Sequence, residues 1–195
     1  MRKQNEDRLT IEARRTLLRV AREAIRSETE NTPFHPPEIP CELERPAGAF
    51  VTLKCGEQLR GCIGTLEAAA PLWETVEQAA RQAATLDYRF DPVHPEELPK
   101  IRVEVSVLSP LERLPEPRTP RAIRIGTDGL CIRYRDRSGV LLPQVAVERG
   151  WSAPEFLEHL CRKAELPPDR WADPDAELFR FTAEVFDEQS FGMEY

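Results

Sequence analysis

One stretch of this chain gathers residue types that could do chemistry: Leu59-Arg60-Gly61-Cys62-Ile63-Gly64-Thr65. A thiol stands two positions after a guanidinium, with glycines on either side. On a β-strand, side chains alternate between faces, so Arg60 and Cys62 would share a face roughly 7 Å apart. A cation at that distance favours the thiolate and lowers the thiol pKa. The absent Cβ atoms of Gly61 and Gly64 would let a ligand, or another backbone, come close. The same pattern also fits a small buried thiol without chemistry, with the glycines marking a bulge or tight backbone packing. No histidine is placed to serve as its base, so the residues alone leave both readings open.

Other candidates lie further along. Asp87 and Arg89 flank Tyr88 in a polar loop, which reads either as a local ion pair or as a loop brought to the thiol face. Glu104 is a carboxylate for acid–base work, or the partner of an arginine on a neighbouring strand. If its strand lies beside the motif strand, Glu104 and Arg60 pair, and the carboxylate orients the guanidinium next to Cys62. Gln144, after Pro143, offers both a donor and an acceptor. His94 sits beside a proline and has a weak claim as a base. No metal site is predicted. C-x-x-C pairs are absent, His35 and Cys41 have no evident partners, and His159 and Cys161 fall on different sides of one helix. No cofactor is legible.

The elements that must position these residues follow from periodicity. Ala49 to Lys54 reads as a strand, Cys55 to Gln58 as a turn, and the motif as the second strand of the hairpin. Apolar residues at helical spacing predict a helix from about Asp7 to Ser27. A second is predicted from Pro71 to Thr85, with Leu72, Val76, Ala79, Ala80 and Ala83 as a narrow stripe. The prolines between Asn31 and Pro46 mark an extended loop, and His94 to Leu98 one helical turn. Ile101 to Leu108 alternates as a half-buried strand. The proline-rich connector 109–120 is the expected lobe boundary. Beyond it, strands at 122–125, 130–134 and 140–142 would form a meander, with Pro143 capping the last. Ser152-Ala153-Pro154-Glu155 is a capping box opening a helix. A closing strand over 178–186 is expected to return to the first sheet. Strand runs without regular βαβ alternation predict an α+β fold, with mainly antiparallel sheets and flanking helices.

Length and composition set the frame. The 195 residues fit one compact unit of two lobes, and 41% hydrophobic residues can build its core. A formal net charge of -7 speaks against a broad nucleic-acid surface. A basic cluster at Arg121, Arg124, Arg133, Arg135 and Arg137 reads as a solvated face. Five cysteines, an odd number, fit a reducing compartment. No apolar run is long enough to span a membrane, and the first residues carry no apolar stretch of a signal peptide, so a cytoplasmic location is expected.

Gly48 to Leu53 followed by Leu59 to Thr65 resembles the signature of the AMMECR family, called AmmeMemoRadiSam system protein A in prokaryotes. The likeness continues through Asp87-Tyr88-Arg89-Phe90, Glu104 to Leu108, Leu141 to Val145 and the Trp171 region, spanning about Phe34 to Phe186. It implies one AMMECR-like domain over 1–195, built as a smaller lobe set against a larger one. The residues read above mark a cleft where Cys62 and Glu104 are the catalytic candidates and Arg60, Gly61 and Gly64 bind substrate, and the resemblance adds Arg89 and Gln144 to it. Where the family usually carries glycine, this chain has Glu165, which puts the end of that helix in question. The family name implies a Memo-like protein and a radical-SAM protein as partners. Two functions therefore stand side by side. One is a cysteine-dependent enzyme, or a component presenting substrate in a shared modification pathway. The other is a binding or adaptor module for a protein, nucleotide or RNA ligand, with a homo-oligomer as a further partner state.

Overall fold

A computed structural model describes residues 8–116 and 118–193. The expected helix start at Asp7 lies outside the described residues, as does the segment read for a signal peptide. The chain divides into two compact units. The first takes the chain up to Leu108 and again from Glu184; the second runs from Ser109 to Ala183.

In the first unit, four antiparallel strands stand in the order β2-β1-β3-β8. They are β1 (Ala49–Cys55), β2 (Gln58–Thr65), β3 (Ile101–Leu108) and β8 (Ala183–Asp187). Helices α1 (Ile11–Glu30) and α2 (Leu72–Thr85) pack on each other and on one face of this sheet. Leu17, Val20, Ala21 and Ala24 of α1 meet Val51, Leu53, Val103 and Val105 in a continuous core. Each leucine or valine contributes roughly 1.5–3 kcal/mol by leaving water, and each alanine under about 1 kcal/mol. Helix α1 begins where Thr10 Oγ1 accepts the Ala13 N–H at 3.1 Å and ends on Asn31 in the left-handed region. It is displaced towards the C-terminus from the expected span because Thr10 supplies the cap. A buried ion pair ties the returning C-terminal segment to the core. Arg22 Nε donates to Glu188 Oε1 at 2.9 Å, and Glu188 Oε2 accepts the Val103 N–H at 2.8 Å.

The second unit has its own sheet, β4-β7-β5-β6, made of β4 (Glu112–Arg113), β7 (Glu177–Phe181), β5 (Gly129–Tyr134) and β6 (Arg137–Leu141). Leu130, Ile132 and Leu178 pack with Phe156, Leu157 and Leu160 of α4 (Ala153–Lys163). The capping box is present: the Ser152 N–H and Oγ both donate to Glu155 Oε2, at 2.8 and 2.6 Å.

Three expectations are corrected. The strand expected over 122–125 is a turn instead, because the fully buried Asp128 carboxylate takes the Arg124 N–H at 2.9 Å and its Nη2 at 2.6 Å. Pro143 does not cap a strand but opens a short helix, α3 (Pro143–Arg149), where its fixed φ and missing N–H suit the first turn. The closing strand over 178–186 is two strands broken at Thr182: β7 joins the second sheet and only β8 reaches the first. The break also shifts the alternation, so Phe181 and Phe186 are buried while Val185 is exposed.

Candidate functional site

The motif strand β2 is the outer strand of its sheet and pairs only with β1. Cys62 faces Thr52, and Gly61 faces Leu53, but Lys54 faces Leu59, so Arg60 is an extra residue with no partner across the ladder. This β-bulge breaks the alternation that would have put Arg60 beside Cys62. The re-aimed guanidinium runs to a different segment. Its Nε and Nη2 donate to the two Glu97 oxygens at 2.8 and 3.0 Å, and its Nη1 donates to the Asp91 carbonyl at 2.9 Å. The pairing holds the Glu97 carboxyl at about 2 and raises the Arg60 pKa.

The guanidinium near the thiol belongs to Arg89. Asp87 is 6% exposed and accepts the Cys62 N–H on Oδ2 at 2.8 Å. Arg89 grips that carboxylate with Nε at 2.8 Å and Nη2 at 2.6 Å, and Nη2 lies 3.4 Å from the Cys62 carbonyl. The loop thus holds both backbone groups of Cys62 on the open edge of the sheet. Hydrogen bonds from Arg89, and then from the Cys62 amide, keep the Asp87 carboxyl at about 2 despite its burial.

The thiol itself is half-buried and accepts from Thr52 Oγ1 at 3.2 Å. Burial pushes its pKa up. Thr52 and Arg89 pull the other way, while Asp87 and Glu104 add to the rise. Arg60 therefore does not activate Cys62, contrary to the expectation from spacing. Glu104 is not its partner either. β3 pairs with β1, not β2, so Cys62, Thr52 and Glu104 form one row across three strands. Glu104 binds Lys54 at 2.8 Å, two strand spacings or roughly 10 Å from the Cys62 position. Its carboxylate is taken up by Lys54, and no hydrogen bond joins it to the thiol among the described residues.

The glycines serve packing. A Cβ on Gly61 would lie 2.2 Å from the Ala83 carbonyl oxygen, so glycine is what lets α2 rest on β2. A Cβ on Gly64 would meet the Ala49 carbonyl at 2.2 Å and the Phe50 ring at 2.5 Å. Neither glycine clears space around the thiol. Gln144 belongs to the second unit, on α3, where its Oε1 is buried without a hydrogen-bond partner among the described residues.

Arg60 and Arg89 do meet in one place. With Tyr88, Phe90 and Asp91 they line an open depression of about 450 Å³. Tyr88 is 95% exposed and Leu86 67%, directly beside the anchored Asp87. Sequence reasoning missed Tyr88, Thr52 and Glu97 as parts of the site. Glu97 accepts the His94 N–H at 2.9 Å and so closes the turn that opens at Pro95, but without serine or threonine at 94 the capping pattern does not show in the sequence. Nothing in the sequence tied it to Arg60. Among the described residues no group of three His, Cys, Asp or Glu side chains could hold a metal ion, and no helix is long and apolar enough to cross a membrane.

The comparisons with known proteins agree with this architecture. A family model described as AMMECR1 matches residues 18–186. A protein of Thermococcus gammatolerans is 49% identical over 182 residues, covering 89% of each chain. One of Methanopyrus kandleri is 45% identical over 191 residues, covering 94% of this chain and 92% of that one. The crystal structure of an uncharacterized protein, PH0010 from Pyrococcus horikoshii, superposes with a TM-score of 0.84 at 44% identity, covering 89% of this chain and 90% of that one.

Proposed function

The chain belongs to the AMMECR1 family, and from that premise we propose that it is a non-catalytic binding module whose ligand is a protein surface docking on the 86–91 loop. The observation that carries this reading is an almost fully exposed tyrosine on a loop whose neighbouring carboxylate is buried and bonded to the sheet edge. Tyrosine and arginine are the side chains most often found anchoring protein interfaces. A loop already fixed before binding avoids roughly 0.5–1.5 kcal/mol of ordering cost for each side chain it would otherwise immobilise.

The enzyme reading has weaker support. A thiol raised above its ordinary value is no more than a few per cent thiolate at neutral pH. Glu104 is held by Lys54 and makes no hydrogen bond to the thiol among the described residues. The Memo-like and radical-SAM proteins implied by the family resemblance are the candidate partners.

Titration of each purified partner against wild type, Tyr88→Ala and Cys62→Ser tests the reading. Loss of the tyrosine anchor is expected to weaken binding more than about tenfold, while the serine variant binds like wild type. Equal affinity of the Tyr88→Ala variant for every partner that binds wild type would refute docking at this loop.

A further inference from the structure

As the outer strand of its sheet, β2 presents a row of backbone groups with no neighbouring strand to pair with. At Cys62 that row is filled: Asp87 accepts the N–H, and Arg89 approaches the C=O. A loop carboxylate and guanidinium stand there in place of another strand's carbonyl and amide. The ladder repeats every two residues, so Gly64 turns its N–H and C=O the same way. No hydrogen bond reaches those two groups from outside the hairpin among the described residues.

Next to Gly64 lies a groove of about 300 Å³ between β2 and α2. Gly64 and Thr65 form one wall, and Thr75, Gln78, Ala79 and Gln82 the other. Its one charged lining residue is Glu67. No residue lines both this groove and the Tyr88 depression, so a ligand of the groove is independent of docking at the 86–91 loop.

We propose that this groove receives a short, basic, extended segment of a partner polypeptide, added to the outer edge of β2 as a fifth strand. Gly64 supplies one donor and one acceptor to the incoming backbone, the pairing that strand addition requires. Gln78 and Gln82 stand one helical turn apart, and each amide can both donate to and accept from the far edge of the added strand. Ala79 and Thr75 are the small, buried residues of the α2 wall, and side chains of the segment pack against them. The Glu67 carboxylate gives the groove a negative sign, and a lysine or arginine on the segment complements it. The occupied edge at Cys62 and the bulge at Arg60 fix where the added strand must stop.

The test is a titration of a blocked seven-residue peptide, alternating alanine with threonine and lysine, into the isotopically labelled full chain. The expected result is a saturable shift of the Gly64 and Thr65 amides and of the Gln78 and Gln82 side-chain amides. N-methylating the peptide amides that face β2, or exchanging its lysines for glutamates, weakens binding by about tenfold or more. Ala69→Lys, which places a cation at an exposed position of the groove wall, weakens binding without moving the melting temperature. Three results would overturn the proposal: no shift at Gly64 with millimolar peptide, equal binding of the N-methylated peptide, or Gly64 shifts that grow with protein concentration alone. The last would assign the edge to a second copy of the chain.

Discussion

Replacing Asp87 by asparagine isolates the carboxylate that joins the 86–91 loop to the edge of the first sheet. Its carboxyl is held at about 2 against an ordinary 3.8; the residue is 6% exposed, while the Arg89 side chain that holds the carboxylate is 44% exposed and in part screened by solvent. That displacement corresponds to roughly 2.5 kcal/mol of stability at neutral pH. Asparagine keeps one acceptor for the Cys62 N–H but cannot hold Arg89 with a second charged oxygen. After a discount for that screening, the variant should lose about 1–2.5 kcal/mol at pH 7. Because the folded carboxyl titrates below the unfolded one, wild type has the full contribution above the unfolded value and loses it as pH falls from near 4 towards 2. The gap between wild type and variant should then shrink to under about 1 kcal/mol near pH 2. The chain folds as two compact units, so a global unfolding curve mixes both. Hydrogen exchange at the Cys62 amide, compared with amides of β3, reads the effect locally. A gap below about 0.5 kcal/mol at pH 7, or one unchanged between pH 7 and pH 2, would refute the reasoning.

Two further substitutions probe the scaffold. Gly61→Ala forces a Cβ to within 2.2 Å of the Ala83 carbonyl and should cost roughly 3 kcal/mol or more, seen as a lower melting temperature for the first unit; an unchanged melt would contradict the packing role. Glu165→Gly should raise stability by about 0.5–1 kcal/mol, because Glu165 holds a φ of 55° at the end of α4 that glycine adopts without strain; thermal melting of the second unit checks the sign.

Much of the scaffold was legible from periodicity and capping. The Leu72–Ala83 stripe, the alternation from Ile101 to Val107 and the Ser152–Glu155 box depend on local spacing, and local spacing is what a sequence displays. The doubt over Glu165 came from the family resemblance and not from local spacing, and Glu165 does stand in the left-handed region that favours glycine. The site was harder to read. One unpaired residue, Arg60, reverses the expected geometry; Gly61 beside it is a mark of either a bulge or tight packing, and the run does not say which, nor which residue drops out of the ladder. Once alternation fails there, the partners of Arg60, Cys62 and Glu104 all change, because each depends on which strand lies alongside. Asp87 and Arg89 were noted as a pair, but their grip on the Cys62 backbone spans 25 residues or more and follows only from the fold. The split at Thr182 is of the same kind: Phe179 to Val185 alternates without interruption in sequence, yet the two halves serve different sheets.

Recognition rather than covalent chemistry at the 86–91 loop depends most on Cys62 being a thiol that burial keeps protonated. The direct measurement is the rate of Cys62 alkylation against pH, in a background with the exposed Cys41 and Cys55 changed to serine. The predicted profile has its half-point above that of free cysteine measured alongside, with slow reaction at neutral pH. A half-point at or below that of free cysteine would contradict this and return Cys62 to the role of nucleophile.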